Sequence, residues 1–172
     1  RIFVDTDFAG CAETRRSTSG GAAFLGGHLV KHWAATQKVV TLSSGEAELG
    51  GVVRGVAEGL GLRSLCRDLG LWCNLDVYTD ASAALGICRR RGVGKVRHMA
   101  VAQLWVQEHL AQKDFGLWKV PGQQNVADAF TKYLGKPTMD RLVAKMGLVI
   151  REGRADTAPE LSQDVKDNLD HQ

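Results

Sequence analysis

The sequence predicts an α/β fold with a mixed five-stranded sheet flanked by helices. Three strand-like segments come first along the chain, and alternating helical and strand-like segments follow them. Hairpin strands followed by β-α crossover units give a sheet that is antiparallel on one side and parallel on the other. A length of 172 residues and an apolar content of 44% allow one ordinary domain with a sizeable core.

The first three strands are predicted from alternating polarity and from turn residues. The segment RIFVDTDF alternates and ends in acidic residues, and a Gly/Ser/Thr-rich turn separates it from AAFLGGHLVKHWAATQ. Gly26 and Gly27 lie in the middle of that second segment and are typical of a hairpin turn. Three consecutive antiparallel strands are therefore expected.

A long helix should follow, because apolar residues recur there at i, i+3, i+4, i+7 and i+11. Thr41, Ser43 and Ser44 supply candidate caps before it. Its glycines lower the helix propensity by about 1 kcal/mol each relative to alanine, and we attribute them to close packing on the sheet. The apolar face consists of Leu49, Val52, Val53, Val56 and Leu60.

The second half of the chain supplies the remaining elements. LDVYTD is a β-rich run followed at once by helical ASAALGICRR, and HMAVAQLWVQEHLAQ indicates another helix. FGLWKVPG reads as a strand stopped by Pro121, and NVADAFTKYL begins a short helix. A last amphipathic helix is predicted around Met139 to Met146, and the four tryptophans lie in apolar patterns that favour core packing.

Charge is unevenly distributed along the chain. The formal net charge is +3, but the stretch after Ile150 holds six acidic and three basic residues, which leaves +6 on the first 150 residues. A basic globular part suits a polyanionic partner. We expect residues 1–148 to form the domain and the acidic tail, residues 149–172, to be disordered, because the tail has few large apolar residues.

Several classes of protein are disfavoured by composition. No apolar stretch approaches the ~18 residues of a membrane span, and the first residues lack the cationic start of a signal peptide. The four cysteines show no C-x-x-C spacing and no accompanying His cluster, so reduced thiols are expected rather than zinc ligands. Because the chain starts at Arg1, already inside an expected strand, we expect it to be a piece of a longer polypeptide.

Four acidic residues occupy four separate settings, and this pattern dominates the functional interpretation. Carboxylates delivered from separate elements are suited to holding divalent cations against a phosphodiester. The four residues are Asp5 in VDTDFAG, Glu48 in SSGEAEL, Asp80 in YTDASAAL and Asp128 in NVADAFTK. For Asp80 and Asp128, the alternative role is that of a helix cap or of an ordinary surface acid.

Two of these acids have close neighbours that could replace them. Asp7 is two residues from Asp5 and would lie on the same face of a strand. Glu46 lies nearer the centre of the apolar helix stripe than Glu48 does, at about 100° per residue. Residue spacing alone therefore leaves Asp5 or Asp7, and Glu48 or Glu46, open.

Six fragments in order resemble the ribonuclease H domain of copia-type (Pseudoviridae) retrotransposon Pol polyproteins, over about residues 1–148. The fragments are VDTDFAG, RRSTSG, SSGEAEL, YTDASAAL, KVRHM and NVADAFTK. The resemblance implies a ribonuclease H-like fold and hydrolysis of the RNA strand of an RNA–DNA hybrid. It also implies two Mg²⁺ ions, with Mn²⁺ as a substitute, and a reverse transcriptase domain in the same polyprotein.

The resemblance assigns catalytic, metal-binding roles to Asp5, Glu48, Asp80 and Asp128, and its register favours Asp5 over Asp7 and Glu48 over Glu46. One departure is the segment VPGQQNVAD, which lacks the His that many ribonucleases H have shortly before the final acid. The copia-type branch often lacks it as well, so we leave catalysis to metal-bound water. The implied location is intracellular: cytoplasm, replication particle or nucleus.

Two basic segments are candidates for contact with nucleic acid, through phosphates and without sequence specificity. One follows the Asp80 helix, where the resemblance implies a basic segment against the hybrid; the other is a polar turn suited to phosphate or 2′-hydroxyl groups. A solvated surface is the competing account of both. The residues are Arg89, Arg90, Arg91, Lys95, Arg97 and His98 in the first, and Arg15, Arg16 and Ser17 in the second.

Two other functions compete with the nuclease. A catalytically inactive hybrid-binding or structural domain of a decayed retroelement would keep the fold without the chemistry, although the presence of all four acids speaks against decay. A different nuclease or strand transferase sharing this sheet, such as an integrase, is disfavoured by the AEL, TDAS and VAD contexts.

Overall fold

The structure is a computed structural model that describes residues 1–92, 100–149 and 153. The predicted order of elements is confirmed. The strands are β1 (Ile2–Thr6), β2 (Thr18–Leu25), β3 (His28–Thr36), β4 (Asp76–Thr79) and β5 (Gly116–Lys119). The helices are α1 (Ser44–Asp68), α2 (Ser82–Arg89), α3 (Ala100–Ala111) and α4 (Lys136–Lys145).

The five strands form one mixed sheet with the order β3-β2-β1-β4-β5. β1 pairs antiparallel with β2, and β2 with β3, while β1, β4 and β5 run parallel. The β2–β3 hairpin turns at Gly26 and Gly27, as predicted, and Gly26 has a positive φ of 63°. Because β1 and β4 are adjacent and parallel, their carboxyl ends lie at the same edge of the sheet.

Helix α1 packs closely on the centre of the sheet. Leu49, Val52 and Val56 are fully buried on its predicted apolar face. A Cβ atom at Gly51 would collide with Thr6, and one at Gly55 would collide with Val4. These two glycines therefore let the helix backbone approach β1, which brings the start of α1 beside the end of that strand.

Side chains that alternate along β1 enter two apolar clusters. Ile2 and Val4 belong to the larger cluster, which is built with α1, α2 and α3. Phe3 packs against the smaller cluster, where Phe24 meets Met146 from the end of α4. The sheet is thus flanked by helices on both faces, as the predicted fold class requires.

The short helix expected around Asp128 is a 3-10 helix, Val126–Phe130. Two other local expectations need correction or limits. Trp72 is 81% exposed and Trp118 is 51% exposed, so the prediction of core packing was wrong for both. Apart from Val149 and Gly153, the predicted disordered tail lies outside the described residues.

None of the described helices has the length and apolar character needed to cross a bilayer.

Candidate active site

Asp5 lies near the end of the central strand and is 1% exposed. Both of its carboxylate oxygens accept hydrogen bonds from a single short segment. Thr131 donates its hydroxyl to Oδ2, and Lys132 Nζ donates to Oδ1 at 3.2 Å. Burying a carboxylate costs free energy unless an opposite charge or hydrogen bonds compensate for the lost water. Thr131 and Lys132 supply these compensating contacts for Asp5.

Glu48 lies in the first turns of α1, where the helix start is fixed by capping. Ser43 is the N-cap and accepts a hydrogen bond from the backbone of Glu46 at 3.3 Å. Glu48 Oε2 is buried and has no hydrogen-bond partner. Burial, together with the nearby charges of Asp5 and Asp80, raises the pKa of Glu48 to about 8.

Asp80 follows β4 directly and reaches the same sheet edge as Asp5. The N-cap of α2 is Ala81, so Asp80 does not serve as the cap of that helix. Asn125 Nδ2 lies 3.5 Å from Asp80 Oδ1 and also donates to the carbonyl of Val4 at 2.9 Å. This buried amide ties the segment before Asp128 to the central strand.

Three of the four acidic residues singled out from the sequence, Asp5, Glu48 and Asp80, lie together at this sheet edge. One carboxylate oxygen from each lies within 4.8 Å of the others. Mg²⁺ prefers hard oxygen ligands. Glu48 Oε2 accepts no hydrogen bond from the protein, so it is available as such a ligand. The donor set therefore fits a divalent cation.

Asp128 stands beside this triplet, separated from it by a lysine. Its side chain is 18% exposed, and its Oδ1 accepts from Lys132 Nζ at 2.8 Å, four residues along the chain. Burial raises the pKa of Asp128, against the effect of the Lys132 hydrogen bond. Burial lowers the pKa of Lys132, but its bonds to Asp128 and Asp5 outweigh this and raise it overall.

The two alternative acids have other contacts in the structure. Asp7 lies just beyond β1, and its Oδ1 accepts a hydrogen bond from the backbone of Thr18. Glu46 Oε2 accepts from the backbone of Leu42 at 2.7 Å, which closes the start of α1. Neither belongs to the carboxylate triplet found among the described residues.

The basic turn has both exposed and buried members. Arg15 and Arg16 are exposed. Ser17 is fully buried, accepts from the backbone of Ala9 at 3.0 Å and lies 3.4 Å from the hydroxyl of Thr41. The expectation that Ser17 contacts nucleic acid therefore needs correction, because its hydroxyl is engaged in holding the loop.

The basic segment that follows α2, Arg89 to His98, is only partly described. Arg89 donates to the carbonyl of Leu117 at 2.8 Å, and this bond fixes α2 against β5. Arg90 is half-buried and Arg91 is exposed, and both line a cavity of about 480 Å³ beside α3. Lys95, Arg97 and His98 lie outside the described residues.

Three polar residues of the site were missed from the sequence. Asn125, Thr131 and Lys132 each bond to β1 or to a site carboxylate. The available signal was the spacing of Asp128 and Lys132, since residues four apart can form ion pairs on a helix. No pattern in the sequence indicated that Lys132 would also reach Asp5.

The strand order and directions, with acidic side chains at the ends of β1 and β4, define a ribonuclease H-like α/β domain. Over 132 residues, which are 76% of the chain, it is 26% identical to the retrovirus-related Pol polyprotein from transposon TNT 1-94 of Nicotiana tabacum. It is also 26% identical over 149 residues, 85% of the chain, to the retrovirus-related Pol polyprotein from transposon RE1 of Arabidopsis thaliana. These relatives confirm the resemblance to retrotransposon Pol polyproteins that the motifs indicated.

Other comparisons set the scope of this result. The chain spans about 10% of the length of these two relatives. No protein-family model matches it. A solved structure of the N-terminal ribonuclease H domain of a Mycobacterium tuberculosis protein, fused to maltose-binding protein, superposes with a TM-score of 0.48 and 19% identity. That superposition covers 83% of this chain and 94% of the other.

Proposed function

We propose that this domain is a metal-dependent endoribonuclease that hydrolyses the RNA strand of RNA–DNA hybrids during reverse transcription of a retrotransposon. The observation that carries the proposal is the close approach of carboxylate oxygens from Asp5, Glu48 and Asp80, together with a buried Glu48 oxygen that has no hydrogen-bond partner. Such a site stores unfavourable charge that a divalent cation would relieve. The related Pol polyproteins supply the nucleic-acid context.

The proposed ligands divide between two cation positions. Asp5, Glu48 and Asp80 would hold one Mg²⁺ or Mn²⁺ ion, and Asp128 with Asp5 would hold a second. Bound divalent ions supply Lewis-acid stabilisation and acidify water for phosphodiester hydrolysis. The residues of the chain fix the ligand positions: Asn125 ties the Asp128 segment to β1, and the α1 cap orients Glu48.

Substrate binding is proposed along basic groups of the chain. Arg15, Arg16, Arg90 and Arg91 would contact phosphates, and so would Lys95, Arg97 and His98, which lie outside the described residues. Such contacts are insensitive to sequence and weaken as salt rises. The reverse transcriptase domain of the same polyprotein is the proposed partner, and the proposed location is intracellular, in the cytoplasm, a replication particle or the nucleus.

The test is cleavage of an end-labelled RNA–DNA hybrid with Mg²⁺ or Mn²⁺, compared with RNA and DNA duplexes of the same sequence. Asp80→Asn should lower the cleavage rate by roughly 100-fold, as loss of one preorganised electrostatic group commonly does. Asp140→Asn is the matched control, because Asp140 is exposed on α4 and pairs only weakly with Lys136 at 3.5 Å. It should cleave like the wild type.

The outcomes separate the competing functions. The proposal is supported by metal-dependent cleavage of the RNA strand that Asp80→Asn slows and Asp140→Asn does not. Binding of the hybrid with no cleavage by the wild type would favour the inactive domain. Cleavage of the DNA duplex in preference to the hybrid would favour another nuclease built on this sheet.

A further inference from the structure

Lys132 places its ammonium group between two of the site carboxylates. Nζ lies 2.8 Å from Asp128 Oδ1 and 3.2 Å from Asp5 Oδ1. Asp5 is almost completely buried and the Asp128 side chain is 18% exposed, so water screens this pair weakly. The chain itself therefore provides the positive charge shared by Asp5 and Asp128.

The local structure fixes this arrangement. Lys132 follows the Val126–Phe130 3-10 helix by two residues, and its backbone N–H donates to the carbonyl of Asp128 at 3.1 Å. The preceding residue, Thr131, donates its hydroxyl to the other oxygen of Asp5. Two consecutive residues thus bind both oxygens of one buried carboxylate.

The site is consequently divided into two unequal parts. On one side, Asp5, Glu48 and Asp80 bring three oxygens within 4.8 Å, with a Glu48 oxygen that no protein group satisfies. On the other side, the pair Asp5 and Asp128 is bridged by Lys132. A cation binding at the triplet meets a Glu48 oxygen that has no protein partner, whereas one binding between Asp5 and Asp128 meets an ammonium group.

We propose that Lys132 is a positioning residue whose ammonium group occupies the position of the second divalent cation. This group must leave Asp5 and Asp128 before that cation binds. The inference rests on the proposed metal-dependent function. Lys132 is 41% exposed and carries its charge on a flexible four-carbon stem, so it can swing to solvent without a change in the backbone. Lys132 then sets the cation concentration at which the second position fills.

The first test measures binding of Mg²⁺ and of Mn²⁺ by calorimetry, with no nucleic acid present. Lys132→Gln removes the competing charge and should tighten the weaker cation site by about tenfold, equivalent to about 1.4 kcal/mol. Lys132→Arg keeps the charge and should leave that site weak. Equal affinity of the weaker site in the wild type and Lys132→Gln would overturn the proposal.

The second test uses the wild-type chain and needs no variant to fold. Acetylation of lysine amines is followed by mass spectrometry in EDTA and at saturating Mg²⁺. Labelling of Lys132 should rise severalfold with Mg²⁺, because displacement from the carboxylates frees its amine, while labelling of exposed Lys136 should not change. Unchanged or reduced labelling of Lys132 would overturn the proposal.

Neither test depends on hydrolysis of a substrate. A wild type that binds cations with displacement of Lys132 but cleaves no hybrid would overturn the proposed function and support the role of Lys132. Cleavage of the hybrid without displacement of Lys132 would do the reverse. A wild type that binds no divalent cation would overturn both.

Discussion

Asn125 bonds to the backbone of Val4, 121 residues earlier in the chain, with Nδ2 donating to the Val4 carbonyl at 2.9 Å. The amide is fully buried, and its Oδ1 also accepts from the backbone of Ala127 at 3.2 Å. One side chain therefore caps the Asp128 3-10 helix and fixes it beside the strand that carries Asp5. Position and stability of this part of the site depend on the same group.

Asn125→Ala should lower both stability and activity. The Val4 carbonyl and the Ala127 N–H would lose their buried partner, which we expect to cost about 2 kcal/mol in the free energy of unfolding. Cleavage of the hybrid should also fall, because Asp128 would lose its fixed position. Urea denaturation and the cleavage assay measure the two effects. Asn74→Ala, at an exposed loop position, is the control and should change neither; the same outcome for Asn125→Ala would contradict the interpretation.

The two glutamates at the start of α1 should behave differently when each is changed to glutamine. Glu46→Gln weakens the hydrogen bond to Leu42 at the helix start and should cost up to about 1 kcal/mol of stability with little effect on Mg²⁺ affinity. Glu48→Gln should weaken Mg²⁺ binding, because the cation loses an anionic ligand. Thermal unfolding with and without Mg²⁺ distinguishes them, and loss of Mg²⁺ binding in Glu46→Gln alone would reverse the assignment.

The sheet and the helix faces could be predicted because they depend on local periodicity. Leu49, Val52 and Val56 are buried as their spacing indicated, and the Gly26–Gly27 hairpin forms where the two glycines allow it. The same periodicity could not show which way Trp72 points, because it lies outside regular structure after α1. There it stacks against Arg67 instead of entering the core, with the guanidinium 5.1 Å from the ring.

The candidate site was predicted only in part because its remaining contacts are long-range. The bond from Lys132 to Asp5 spans 127 residues and depends on a 3-10 helix, whose tighter turn rotates side chains differently from an α-helix. Ser17 is polar and follows two arginines, so sequence alone favoured a surface role. Its burial follows from the path of the loop, in which Arg15 adopts a positive φ of 56°.

The stability of the domain in EDTA should fall as pH rises between about 4.5 and about 8. Burial raises the pKa of Glu48 from 4.5 to about 8, so over this range the folded chain holds a proton that the unfolded chain has lost. The stabilisation that the protonated Glu48 carboxyl gives to the folded state is fully present below pH about 4.5 and is lost above pH about 8. Glu48→Gln should flatten this part of the profile of melting temperature against pH.

Mg²⁺ should bind with release of a proton in the same pH range. The Glu48 carboxyl must lose its proton to act as a ligand, so Mg²⁺ affinity should rise with pH up to about 8. Calorimetry in two buffers of different ionisation enthalpy measures the number of protons released. The same number for wild type and Glu48→Gln would show that another group titrates.

The exposed arginines of the basic turn, Arg15 and Arg16, should control how strongly hybrid binding depends on salt. Replacing Arg15 and Arg16 by alanine should weaken binding in EDTA and reduce the slope of log affinity against log salt by about 0.9 for each phosphate that the turn neutralises. Ser17→Ala should lower stability and leave the slope unchanged, because Ser17 is buried. Replacing Arg141 and Lys145 together by alanine, at exposed positions on α4, removes the same two charges and controls for the change in net charge alone. An equal reduction of the slope by this double replacement would mean that the turn provides only general positive charge, without touching the phosphates directly.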